Sequence, residues 1–143
     1  MIILRAYEKG DFDRVKLSPA AQKMIEAFHD FEAIKRAYDN LQTLFTYEDN
    51  GEIICIWGWV PMWVGVAELV LFAGENLRQY IHHVPRFLKR AIKKDNLGYD
   101  RLQMTVRTDP EHVRIAEFLG FEREGLLRKY VNGYDYYCYS RIN

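Results

Sequence analysis

The stretch from Glu117 to Ser140, EFLGFEREGLLRKYVNGYDYYCYS, constrains the fold of this chain more than any other. A helical run ends on Leu119-Gly120-Phe121, because a glycine just past a helix readily takes the left-handed conformation of a C-cap. Two strand-like runs follow, over 121–131 and 134–142. They meet at Asn132-Gly133, a pair that tolerates positive φ and closes a tight hairpin. The C-terminal part is therefore a helix followed by an antiparallel strand pair. Alternate side chains of a strand take opposite faces. Tyr137 and Tyr139 thus share one face, and Tyr134 and Tyr136 share the other with Cys138. One set is expected to pack in the core. The other packs on the surface, lines a groove or forms a dimer contact.

Similar punctuation organises the rest of the chain. Residues 2–7 read as a strand, with Asp11 a candidate helix cap. Ser18-Pro19 starts a helix, Ser at the N-cap and Pro in the first turn, with Ala21, Met24, Ile25 and Phe28 on its apolar face. A second helical run covers 31–38. Strands are expected over 41–47 and 52–60, with a hairpin turn at Asn50-Gly51 between them. Pro61-Met62 is read as a break before a further strand over 63–72, apolar on both faces and so covered on both. Ile81, Val84, Leu88 and Ile92 recur at helical spacing, opposite a basic face of Arg86, Lys89, Arg90, Lys93 and Lys94, and Gly98 ends that helix. A short strand over 102–106 precedes a helix that Asp109 caps and Pro110 begins, with Val113, Ala116 and Leu119 on its buried side. The strand-helix-strand unit over 63–106 predicts a right-handed crossover between parallel strands. The expected class is α+β, a mixed, mostly antiparallel sheet flanked by helices, in a single domain over 1–143.

Lys plus Arg and Asp plus Glu balance at 20 each, which argues against a general nucleic-acid binder and permits a homodimer. Cys55 and Cys138 sit in apolar or aromatic runs and read as small buried thiols, not a disulfide framework. The apolar run over 53–73 is interrupted by Gly58, Pro61, Gly65 and Glu68 and is too broken for a membrane span. The opening residues show no cleavage pattern, so a cytoplasmic protein without a membrane partner is expected. His82 and His83 have no further Cys or His at ligand spacing, and no metal is expected.

The order of these pieces resembles the GNAT superfamily of acyl-CoA-dependent N-acetyltransferases over nearly the whole chain. ILRAYEKGDFDRV is similar to that family's opening of strand, arginine, turn, acidic residue and helix. AELVLFA resembles its fourth strand, which runs beside the pantetheine arm. Leu119-Gly120-Phe121, then Glu124-Gly125 and LLRKYVNGYDYYCYSR, is similar to its ending. The resemblance implies acetyl-CoA as co-substrate and a small-molecule or protein amine as acceptor.

It also implies a site. The family holds a pyrophosphate on a Q/R-x-x-G-x-G/A turn, where backbone N–H groups at a helix start face the anion. The best register here places Gln79 first and His82 and Val84 at the small positions, followed by Pro85, which has no N–H. Arg78, His82, His83 and Arg86 would then replace backbone donors with side-chain cations; alternatively the pocket no longer takes CoA. Leu71, Phe72 and Ala73 would lie beside the pantetheine arm. Glu68, the one charge in its apolar run, is the candidate base, since such surroundings raise a carboxyl pKa; the other reading pairs it with a basic residue of a neighbouring helix. The family's usual acid tyrosine falls at Ala116, which leaves Tyr130 or Tyr134 to supply a proton. The usual asparagine near the start of the last helix falls at Asp109, which a capping role also explains. The contrasting class is a GNAT-like binding or structural protein without catalysis, like some phage-encoded members that lack the glycine loop.

Overall fold

A computed structural model describes residues 1–94 and 98–143, the side chains of Lys93 and Lys94 excepted. The strands are β1 (Ile2–Ala6), β2 (Leu44–Asp49), β3 (Glu52–Trp63), β4 (Val66–Ala73), β5 (Arg101–Arg107), β6 (Glu122–Val131) and β7 (Tyr134–Ile142). The helices are α1 (Asp11–Arg14), α2 (Pro19–Glu26), α3 (Phe31–Tyr38), α4 (Val84–Lys94) and α5 (Pro110–Phe118). One seven-stranded sheet has the order β1-β2-β3-β4-β5-β7-β6. Antiparallel ladders join β1 to β2, β2 to β3, β5 to β7 and β6 to β7. The β4–β5 ladder is parallel, as the crossover reading requires. The class is mixed α/β with helices flanking the sheet.

The chain divides into two compact units. The first comprises Met1–Val60 and Val70–Tyr80. Its core gathers Phe12, Val15, Tyr38, Leu44, Ile53, Ile56 and Phe72. The Phe12 ring meets Phe72 edge-on at 5.0 Å and Phe31 at 5.5 Å. Each fully buried ring of this kind stabilises the fold by about 1.5–3 kcal/mol. Ser18 caps α2 by accepting from Ala21 N–H at 3.2 Å, and Asp30 caps α3 by accepting from Ala33 N–H at 3.1 Å. Asp11 is not a cap: it is the first residue of α1, fully buried and bound by Arg5. Phe28 lies beyond the end of α2 and is half exposed.

The second unit comprises Pro61–Leu69 and Ile81–Asn143. Val84, Leu88 and Ile92 of α4 are buried, as are Leu102, Met104 and Val106, the alternate residues of β5. Ile81 is exposed and precedes the helix, so it is not part of that apolar stripe. The reading that Gly98 ends the helix depends on residues 95–97, which lie outside the described residues, as do the side chains of Lys93 and Lys94 in the basic face. Helix α5 ends in a Schellman motif. Phe121 N–H bonds to Ala116 C=O at 3.2 Å and Gly120 N–H to Glu117 C=O at 3.0 Å, with Gly120 at φ 89°.

Three strand boundaries lie three residues from the sequence reading. Pro61 does not break β3, which runs on to Trp63. The ladder from β3 to β2 ends at Leu44–Gly58, so the missing N–H of Pro61 removes no bond on that side. The turn instead lies at Val64-Gly65, and β4 begins at Val66. Strand β2 starts at Leu44, later than the apolar run suggests. Trp57 and Trp59 of β3 are buried, and Trp63 at its end is exposed.

Candidate active site

Glu68 stands where a parallel ladder stops. Val66, Ala67 and Glu68 pair with Arg101, Leu102 and Gln103, and the ladder extends no further. Glu68 is half-buried, and burial pushes its carboxyl above the usual range, opposed by a hydrogen bond with the Gln103 side chain. Among the described residues, the side-chain neighbour that opposes this shift is the neutral amide of Gln103. Arg101 Nε donates to Gln103 Oε1 at 3.0 Å, and the same guanidinium holds Glu124 through Nη1 at 3.0 Å and Nη2 at 2.6 Å.

Tyr130 reaches the same neighbourhood from β6. Between Leu127 and Val131 that strand has more residues than the β7 segment opposite, and Lys129 sits at φ 51°. Such a bulge redirects side chains. The Tyr130 ring lies 5.5 Å from that of Tyr136, and its hydroxyl bonds with Thr105. Burial raises its pKa, and the negative charge of Glu68 adds to the effect, so the phenol stays protonated. Tyr134 instead stacks under Arg107, 4.1 Å from ring centre to guanidinium carbon. Tyr139 is fully buried and its hydroxyl donates to Glu117 at 3.0 Å, whereas Tyr136 is buried on the opposite face of β7. Each face of the strand therefore takes one core tyrosine.

The residues at the end of β4 differ in what they offer. Phe72 has its ring in the aromatic core and presents only backbone. Leu71 and Ala73 are half-buried, and the Ala73 carbonyl accepts from Ser18 N–H at 2.9 Å. Beyond β4, a 3-10 turn over Leu77–Tyr80 carries Arg78 and Gln79, both exposed. The Tyr80 hydroxyl donates to Asp49 at 2.7 Å.

Helix α4 opens with few backbone donors. Phe87 N–H already bonds to His83 C=O at 3.1 Å, and Pro85 has no N–H, which leaves those of Val84 and Arg86 in the first turn. The Val84 side chain points into the core at 1% exposure. A shallow depression of about 140 Å³ lies beside this start, lined by His82, His83, Arg86, Phe87 and Arg90. These side chains suit a phosphate through charge-assisted bonds in place of backbone ones. Asp109 occupies the N-cap position of α5, but its side chain makes no capping bond. It lies 3.1 Å from Arg107 Nε and 3.3 Å from His112 Nδ1 instead, so the capping role assigned to its carboxylate does not hold.

Glu68 and Tyr130 thus come together, as do His82, His83 and Arg86. The sequence reading missed Gln103, Arg101 and Glu124 around Glu68. The signal was there: RLQMTVR alternates strictly, which puts Arg101, Gln103, Thr105 and Arg107 on one face. Among the described residues, no group of three or more His, Cys, Asp or Glu is placed to hold a metal ion. No helix among them is long and apolar enough to cross a membrane.

Several solved acetyltransferases share this architecture. A GNAT-family acetyltransferase from Bacillus anthracis superposes with a TM-score of 0.70 at 15% identity, covering 99% of this chain and 94% of that one. The chain has the GNAT fold. A GNAT-family acetyltransferase from Elizabethkingia anophelis, solved with acetyl-CoA bound, gives 0.69 at 17% identity, covering 99% and 98%. A variant of spermidine N-acetyltransferase from Vibrio cholerae gives 0.67 at 20%, covering 99% and 93%. No protein-family model and no curated protein sequence matches the chain, so the GNAT fold rests on three-dimensional likeness.

Proposed function

We propose that residues 1–143 form one acyltransferase domain that moves an acetyl group from acetyl-CoA to an amine. The observation that carries this reading is Glu68, a carboxylate of raised pKa at the point where the β4–β5 ladder stops, in the GNAT fold. Glu68 removes a proton from the attacking amine, directly or through water. The amine nitrogen bonds to the thioester carbonyl carbon, the C–S bond breaks, and CoA leaves as a thiolate that the Tyr130 phenol can protonate. Backbone groups of Leu71, Phe72 and Ala73 pair with the pantetheine arm, and a backbone N–H there stabilises charge on the carbonyl oxygen. His82, His83 and Arg86, with the Val84 N–H, seat the diphosphate. Asp109, already engaged by Arg107, has the weakest claim to a cofactor contact.

One set of observations favours a second reading, a GNAT-fold binding protein without catalysis. The helix start has no glycine, its second residue is proline, and Ala116 is fully buried where the family's acid tyrosine falls. Thermal unfolding under acetyl-CoA titration separates the two. Ligand at 100 times its dissociation constant adds about 2.7 kcal/mol of stability. The transferase reading expects an upward shift in Tm; no shift at millimolar acetyl-CoA rejects it.

A further inference from the structure

Four side chains from three strands form a continuous row on one face of the second unit. Glu124 on β6 grips Arg101 on β5 through a two-point fork at 3.0 and 2.6 Å. Arg101 donates from its remaining nitrogen, Nε, to Gln103 Oε1 at 3.0 Å. Gln103 is the ladder partner of Glu68 and hydrogen-bonds its carboxyl. The order of donors and acceptors is forced. A guanidinium only donates, so the amide must turn its oxygen toward Arg101 and its NH₂ toward Glu68. An ionised carboxylate only accepts, so it receives a hydrogen bond from the amide N–H.

We propose that Glu124, Arg101 and Gln103 are positioning residues that fix the orientation of the Glu68 carboxylate for proton removal. The proposal rests on the reading of Glu68 as the base. The design separates orientation from charge. Arg101 touching Glu68 directly would stabilise the carboxylate and weaken it as a base. A neutral amide stands between them, and Glu124 offsets the guanidinium charge at the far end. Gln103 occupies one part of the carboxylate's accepting capacity and leaves the rest for an amine. A base held in one geometry shortens the search for a reactive alignment.

The test titrates the Glu68 side-chain carboxyl by carbon NMR in the full chain and follows hydrolysis of acetyl-CoA, water standing in for the amine. Gln103→Leu removes a hydrogen bond that favours the ionised form, so the Glu68 pKa rises. Turnover falls about 10-fold or more from lost alignment, with KM for acetyl-CoA unchanged. Glu124→Gln leaves the Arg101 charge uncompensated and shifts the Glu68 pKa the other way, downward. A Glu68 titration that does not move in Gln103→Leu overturns the proposal, as does full turnover in that variant when Glu68→Gln is inactive. If Gln103→Leu does not fold, Glu124→Gln decides: a downward shift supports the row and no shift overturns it. Glu68→Gln with full turnover removes the base reading instead, while the titration still reports whether the row holds the carboxyl.

Discussion

Glu68 and Gln103 face each other across the last rung of the parallel β4–β5 ladder, and the glutamine amide is the hydrogen-bonding neighbour of the glutamate carboxyl. A base so placed is raised by burial and lowered only by a neutral donor. It must be ionised to act, so the rate rises with pH through its pKa. The acid limb of kcat/KM is therefore expected above the ordinary glutamate value of about 4.3. Glu68→Gln should lose that limb and at least about 100-fold in turnover, with acetyl-CoA affinity nearly unchanged. An acid limb identical in the variant would take Glu68 out of the reaction.

Asp11 makes a separate prediction, about stability. Burial alone would push its carboxyl up, but two bonds from Arg5 at 2.9 and 3.0 Å, with Glu8 N–H, Arg14 and the Thr46 hydroxyl, hold it well below the usual range. A depressed folded-state pKa gives stability that is present above the unfolded value, about 3.9, and is lost as pH falls through the folded one. Stability in urea should thus decline below about pH 4. Asp11→Ala, which leaves Arg5 without its main partner, should cost about 3 kcal/mol or more at pH 7 and flatten that decline. A variant as stable as the parent at pH 7 would contradict this account.

These two carboxylates show what the sequence discloses. Glu68 stands out because it is a lone charge in an apolar run. Asp11 reads from the sequence only as a candidate helix cap, since its partners Arg5 and Thr46 meet it through β1–β2 pairing. The hairpins at Asn50-Gly51 and Asn132-Gly133 were legible because both residues of each turn need positive φ, and they have it. The Gly120 stop and the Ser18 cap were legible for similar local reasons. Pro61 misled because its effect depends on where the β2 ladder ends, which no local pattern encodes. The row from Glu124 to Glu68 was hidden for a related reason. It needs the register of β4 on β5 and the reach of Arg101 to β6, both products of tertiary packing.

Gly58 tests the packing of β3 on β2. A Cβ there would lie 2.1 Å from the Thr43 carbonyl oxygen and 2.8 Å from the Leu44 Cα, both backbone atoms that cannot swing aside. Gly58→Ala should destabilise by roughly 2 kcal/mol or more, read as a lower urea midpoint with an unchanged slope. Gly125, with open space around its Cβ position and no positive φ, is the control. Gly125→Ala should lie within about 0.5 kcal/mol of the parent. Equal effects at both positions would mean the close approach at Gly58 is not what limits it.

The helix start at Val84 sets the last expectation, on how an anion is held without a glycine loop. With Pro85 lacking an N–H and Val84 turned into the core, most of the attraction must come from side chains around the depression. Arg86 and Arg90 line it, and a guanidinium fork matches phosphate oxygens. A hydrogen bond to a charged group contributes about 1.5–3 kcal/mol, so Arg86→Gln should weaken acetyl-CoA binding by roughly 10-fold or more. Exposed charges are screened by salt, so affinity should also fall between low and high ionic strength, more steeply than for a site built on backbone donors. Isothermal titration at two salt concentrations, with parent, Arg86→Gln and Arg90→Gln, measures both effects. Salt-insensitive binding that survives both substitutions would move the diphosphate away from this depression and onto backbone donors elsewhere.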